Sequence, residues 1–187
     1  MNLEVNECRF ENCEIGAMNL TYVLQGTINN TQITDSHDTA VFMVSSKVIF
    51  NHVQILRSFC NAINAFNKCQ LVILDSLLQD STWVLLAVRG HSFLSVCRSH
   101  LCASQMTGVC VREFCEAKIT ESVIQNCTES GVKASNTSLT VTNCLIYNNG
   151  FNGVDVSDFS AVDVHKTLIA GCSSAALSVF TGGTLNC

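Results

Sequence analysis

The chain has no proline among its 187 residues, which excludes Pro-rich linkers and polyproline segments. Aromatic residues make up 7%, with one Trp and two Tyr, and charged residues only 13%. No linker, charge run or low-complexity stretch occurs. No run of about 18 apolar residues occurs, so no membrane helix is expected. Ten Lys and Arg against fifteen Asp and Glu leave a net charge of −5. No basic cluster of the kind nucleic acid requires stands out, and no nucleic-acid partner is expected. The opening MNLEVNECRF lacks a basic start followed by an apolar core, so no secretory leader is expected in it.

What is present is a repeat of 22 or 23 residues. Units open at Leu3, Gly26, Val48, Leu71, Leu94, Ala117, Leu139 and Val162, and a ninth begins at Leu185. Two slots after each start the residue is always apolar, from Val5 and Ile28 to Val141 and Val164. The same holds seven slots after it (Phe10, Ile33, Ile55, Leu78, Leu101, Ile124, Ile146, Ile169) and fifteen after it (Met18 to Leu177). A period of this length marks a solenoid, in which each unit stacks only on its neighbours.

Inside a unit the local period is two. Leu139-Thr-Val141-Thr and Val154-Asp-Val156-Ser alternate, as short half-buried strands do. Each unit therefore holds three strands with sharp corners between them. The corner slots are small: Cys8, Thr31, Val53, Ser76, Ser99, Ser122, Cys144 and Thr167 at one, Cys13, Ser36, Ser58, Ser81, Ser104, Cys127, Asn149 and Cys172 at the next. Such side chains can turn inward and meet the backbone of the adjoining unit.

Runs such as LTVTNCLIYNNGFNGVDVSDFS and AKITESVIQNCTESGVKASNTS resemble the generic repeat of the right-handed parallel β-helix, the pectin-lyase-like superfamily. The resemblance implies an all-β solenoid of about eight coils with three strands each, rising about 38 Å at ~4.8 Å per coil. A leucine-rich horseshoe has a similar period, but its Leu-x-x-Leu-x-Leu-x-x-Asn string is missing. Residues 1–187 are expected to form one β-helix domain. Its first unit starts at Leu3 and its last stops at Cys187, which suggests a segment of a longer protein.

Of the twelve cysteines, Cys8, Cys13, Cys127, Cys144 and Cys172 fall in the inward corner slots, where they alternate with Ser and Thr. Free Cys fills a core as a small hydrophobe, and reduced thiols in this number point to the cytoplasm or nucleus. Sequons at Asn19, Asn29, Asn126 and Asn136 are of the frequency that chance supplies in such a composition. Cys97, Cys102, Cys110 and Cys115 lack close Cys-x-x-Cys spacing and fall on different faces, so no metal is expected. No cofactor motif is present.

Enzymes of the superfamily act on the outer face of one sheet, here the strand around Gly153-Val154-Asp155-Val156. Hydrolysis needs two carboxylates on neighbouring coils, and Asp155 has no partner on the neighbouring coils. Asp35 and Asp38 flank His37 on a polar turn. No catalytic residues are assigned, and the chain is not expected to be an enzyme.

The outer surface offers binding residues instead. Phe42, Val44 and Phe66 form an apolar patch continued by Arg89, Arg112, Lys133 and Asp155, with Trp83 on the turn leading into this sheet. Aromatics grouped with Arg are the usual composition of an interface centre. A second apolar patch is expected from Ile49, Leu56, Val72, Leu74 and Leu77, covered by another domain or another protein. In its repeat and cysteine content the chain resembles the Shc SH2-domain-binding protein and Nessun dorma group and F-box proteins with β-helix repeats. That implies a scaffold or adaptor in cytokinesis or ubiquitin-ligase targeting. The alternative is a carbohydrate-binding or polysaccharide-processing β-helix, in which Phe42, Phe66 and Trp83 stack on sugars.

Overall fold

The computed structural model describes residues 1–187. It is a parallel β-solenoid without a helix, built from three sheets of nine, eight and eight strands in which every strand pairs with its counterparts one repeat away. The fourth coil shows the plan: Gln70–Leu74 in the first sheet, Leu77–Ser81 in the second, Leu86–Arg89 in the third. The register is that of the repeat. Leu3 stands beside Gly26, Gly26 beside Val48, Leu71 beside Leu94, and so on to Val162 beside Leu185.

Alternation decides what is inside. In Gln70–Leu74 the second and fourth residues are buried, and in Leu86–Arg89 the first and third. The inward residues join into one apolar column from Leu20 to Val164. Glycines enter that column where β-branched neighbours leave no room. A Cβ on Gly131 would stand 2.8 Å from Ile146 Cγ2, 2.8 Å from Asn149 Nδ2 and 2.9 Å from the Gly153 carbonyl.

The corners are made by left-handed backbone. Between the first and second sheets each coil places one non-glycine residue at positive φ: Glu7, Asn30, His52, Asp75, Arg98, Glu121, Asn143 and Lys166, all between 46° and 54°. That conformation costs a typical side chain about 1–2 kcal/mol. It recurs because the N–H of each residue from Glu7 to Asn143 donates to a carbonyl of the next coil, as Asp75 does to Cys97 and Arg98 to Thr120. A second left-handed column runs through Asp35, Arg57, Asp80 and Ala103. At the corner from the third sheet to the first, coils of 22 residues use one such residue, Ser45 or Asn136. Coils three, four, five and seven use two, for example Asn67 and Lys68. The first coil, also of 23 residues, uses only Tyr22, so the number of left-handed residues follows the repeat length in every coil but that one.

The small corner slots are hydrogen-bond ladders. The Val53 N–H donates to Ser76 Oγ at 3.0 Å, Ser76 to Ser99 at 3.2 Å and Ser99 to Ser122 at 3.1 Å. Each hydroxyl in turn donates to a carbonyl two residues back, as Ser99 does to Cys97 at 2.9 Å. At the third corner a cysteine takes a rung, the Ser92 N–H meeting Cys115 Sγ at 3.3 Å. Cys127 and Cys144 are buried in these columns, whereas Cys8, Cys13 and Cys172 in the outer coils are only half-buried.

Candidate functional site

The third sheet carries two outward rows. One runs Asn19, Phe42, Asn64, Ala87, Cys110, Lys133, Asp155 and Ser178, each paired with the next. The other contains Val44, Phe66, Arg89, Arg112, Ser135 and Ser157. Strands of four residues make this floor about 10 Å wide. Its middle is low because Ala87 and Cys110 are small.

Turns rise on both sides. On the side entering the sheet, Trp83, Met106, Glu129 and Phe151 form one column, each N–H bonding to the preceding member's carbonyl from Glu129 onward. Trp83 and Phe151 are 56% and 51% exposed. From Trp83 to Phe151 the column spans three coil steps, about 14 Å. On the far side stand His91, stacked on Phe114 with ring centroids 5.2 Å apart, and the exposed Phe159. The result is a trough with aromatic banks, its floor apolar around Phe42, Val44 and Phe66 and polar and charged from Arg89 through Arg112 and Lys133 to Asp155.

The trough holds a cleft of about 370 Å³ in coils five to seven, lined among others by Thr107, Glu129, Lys133, Phe151 and Asp155, and a second of about 360 Å³ beside Asn19, Phe42 and Asn64. Lys133 Nζ lies 3.8 Å from Asp155 Oδ2. The buried Thr107 hydroxyl donates to Glu129 Oε2 at 3.0 Å and fixes that carboxylate. Two sequence expectations are corrected here. Asp155, read as part of the open outer face, is only 7% exposed, and its Oδ1 is shielded from solvent without a hydrogen-bond partner. It also does have a carboxylate neighbour, because Glu129 on the turn of the preceding coil lines the same cleft. The strand rows could not reveal Glu129, since it belongs to the bank.

The other proposed residues separate. Phe42 and Phe66 are half-buried and in ring contact, centroids 5.2 Å apart, and the Arg89 guanidinium lies 5.4 Å from the Phe66 centroid. Val44 is half-buried between Thr21 and Phe66. Arg112 is exposed. Trp83 stands on the bank, one coil on from Phe66. The second patch does not form one surface. Ile49 and Val72 are neighbours on the first sheet, but Val72, Leu74, Leu56 and Leu77 are all half-buried and only Ile49 is exposed, at 39%. The left-handed Asp75, paired with Arg98 at 2.8 Å, stands between Leu74 and Leu77.

Elsewhere, ionisable groups serve the corners. Arg57 donates to both carboxylate oxygens of Asp35 at 2.6 and 2.7 Å, which holds the Asp35 carboxyl below its ordinary value. Asp38, on the turn with His37, accepts from the Thr39 N–H at 2.7 Å. Burial raises the thiols of Cys102 and Cys110. No three His, Cys, Asp or Glu side chains come together as metal ligands would, and no helix is long and apolar enough to cross a membrane.

Among solved structures, the chain is similar to the enzymatically active domain of bacteriophage CBA120 tailspike protein 2, at 8% identity and a TM-score of 0.45. The match covers 98% of this chain and 42% of that one. It is similar to the Streptococcus pneumoniae surface protein and adhesin PfbA at 9% identity and a TM-score of 0.42, covering 91% of this chain and 68% of that one. A GH87 alpha-1,3-glucanase catalytic domain, solved with tetrasaccharides, matches at 8% identity and a TM-score of 0.32, over 93% of this chain and 57% of that one. The chain thus spans less than half the length of the tailspike domain. No curated protein matches the sequence. The family model describing a right handed beta helix region matches residues 86–187, from the third strand of the fourth coil onward. With more than half its length so matched and its coils stacked in that register, the chain belongs to the right-handed β-helix family.

Proposed function

We propose that the trough on the third sheet binds a linear glycan. The observation that carries this reading is the pairing of exposed aromatic banks with the polar part of the floor. Trp83 and Phe151 stand about 14 Å apart along one bank, with Arg112, Lys133 and Asp155 repeating below at the coil spacing. A polysaccharide offers the complement: apolar ring faces for the aromatics and hydroxyls at regular intervals for the floor. Sites for such ligands combine aromatic walls with a few placed polar groups. The test is a glycan array with the parent chain and a Trp83→Ala, Phe151→Ala variant. Binding that falls at least tenfold in the variant, with an unchanged melting temperature, is expected. An array on which nothing binds the parent chain overturns the reading.

A second reading is favoured by the stack of Phe42, Phe66 and Arg89 on coils two to four. An aromatic pair capped by a guanidinium is a typical protein-docking anchor, and it fits the scaffold or adaptor role expected from the repeat and its cysteines. Phe66→Ala with Arg89→Ala then weakens capture of a protein partner and leaves glycan binding intact. Unchanged capture counts against it.

A further inference from the structure

We infer that the cleft of coils five to seven is a subsite for the protonated amine of an amino sugar; this rests on the glycan reading above. The starting point is Asp155. Its position on the sheet is outward, yet its side chain is more than nine-tenths buried. A buried carboxylate is tolerated when donors satisfy it. Here Oδ1 has none, and Oδ2 has only the Lys133 ammonium at 3.8 Å, too long for a direct hydrogen bond. The fold does not need this group: the same slot holds Asn, Phe, Ala, Cys, Lys and Ser in other coils.

The surroundings define the missing donor. Glu129 brings a second carboxylate, held by the Thr107 hydroxyl. With one Lys against two acids, the cleft carries a net negative charge. Phe151 lines the same space and is half exposed, so its ring face is open to a pyranose or to a cation. Oδ1 is covered, so a ligand meets Asp155 at Oδ2, where a neutral hydroxyl could donate one hydrogen bond but leaves the charge of the cleft uncompensated. An alkylammonium supplies three donors and the charge together. On a glycan, that group is the free amine of a deacetylated hexosamine.

The experiment compares a tetramer of β-1,4-linked glucosamine with its fully N-acetylated counterpart by calorimetry, at a pH where the amine is protonated and at physiological salt, alongside the array above. The amine form is expected to bind at least tenfold more tightly, and Asp155→Asn and Glu129→Gln should each remove that preference. Glu129 lies on an exposed turn, so its variant reports on the cleft even if Asp155→Asn alters folding. A linear polyamine of equal charge is the control: equal affinity for it means attraction by the net charge of −5 and overturns the inference. Equal or tighter binding of the acetylated tetramer, no binding of either tetramer while other glycans bind, or a preference that survives both variants also overturns it and leaves the glycan reading standing. Silence across the whole array removes both.

Discussion

Replacing Ser99 by alanine tests whether the corner ladders hold the coils together. Ser99 is 4% exposed; its Oγ accepts from the Ser76 N–H at 3.2 Å and donates to the Cys97 carbonyl at 2.9 Å. Alanine fills most of the space but leaves the buried Ser76 N–H without an acceptor. An orphaned buried donor costs about 1–3 kcal/mol, so a loss of about 2 kcal/mol is expected. With a urea slope of roughly 2–3 kcal/mol/M, that moves the unfolding midpoint down by about 0.7–1 M. Ser99→Cys is the companion variant. Cysteine occupies this slot at Cys8 and Cys144, and Cys115 accepts a backbone N–H at the third corner. The cysteine variant should therefore lose about half as much as the alanine variant. The measurement is equilibrium urea unfolding followed by far-ultraviolet circular dichroism. An alanine variant within ~0.5 kcal/mol of the parent, or a cysteine variant less stable than the alanine one, refutes the ladder as a source of stability.

Acid should unfold the solenoid through its corner carboxylates. Asp35 and Asp75 are held below the ordinary 3.8 by hydrogen bonds from Arg57 and Arg98, and Asp158 by the Ser135 hydroxyl. A lowered folded-state value gives stability that is complete above the unfolded value and lost as pH falls through the folded one. The melting temperature is thus expected to hold between about pH 7 and 5 and to drop below about pH 4, with a shallower drop in Asp75→Asn; an identical acid limb in that variant contradicts the assignment. Thiol titration tests the cysteine columns. Burial raises the Cys127 thiol to about 11, and Cys69, Cys102, Cys110, Cys115 and Cys144 are likewise buried and raised. At about pH 8 these six should react with an aromatic disulfide reagent far more slowly than Cys187, and at its rate once the chain is unfolded. Fast reaction of all twelve in the folded protein means that the columns are open.

The coil register was readable from the chain because three slots per unit are apolar without exception, and one slipped residue would turn every such side chain to solvent. The corner geometry was not. The left-handed column holds Glu, Asn, His, Asp, Arg and Lys, a set with no common propensity. What the positions share is a backbone N–H aimed at the next coil's carbonyl, and stacking imposes that. The inward role of Ser76, Ser99 and Ser122 was visible as small polar residues at a fixed spacing, but the direction of their hydrogen bonds was not.

The site was legible only as far as the strand alternation reaches. Phe42, Phe66 and Arg89 could be placed on one face because they occupy outward slots of paired strands, and their ring contacts follow from that pairing. Trp83 was placed on a turn, but its column with Met106, Glu129 and Phe151 was hidden, since that slot also holds Ile15, Asp38, Cys60 and Ser174 and has no pattern. Alternation likewise marks Asp155 as outward without saying how deep it lies. Depth depends on what the bank and the adjacent Lys133 cover, which is a matter of three coils at once. A β-helix asks of its outward residues only that they stay out of the core, and Ser178 fills the same slot one coil later. A carboxylate oxygen buried there without a donor, as Oδ1 is, weakens the fold by an amount of the order of 1–3 kcal/mol. Because no inward contact or corner ladder requires Asp155, that cost sets it apart from the residues the repeat explains, and it directs the search for function to the cleft beneath Phe151.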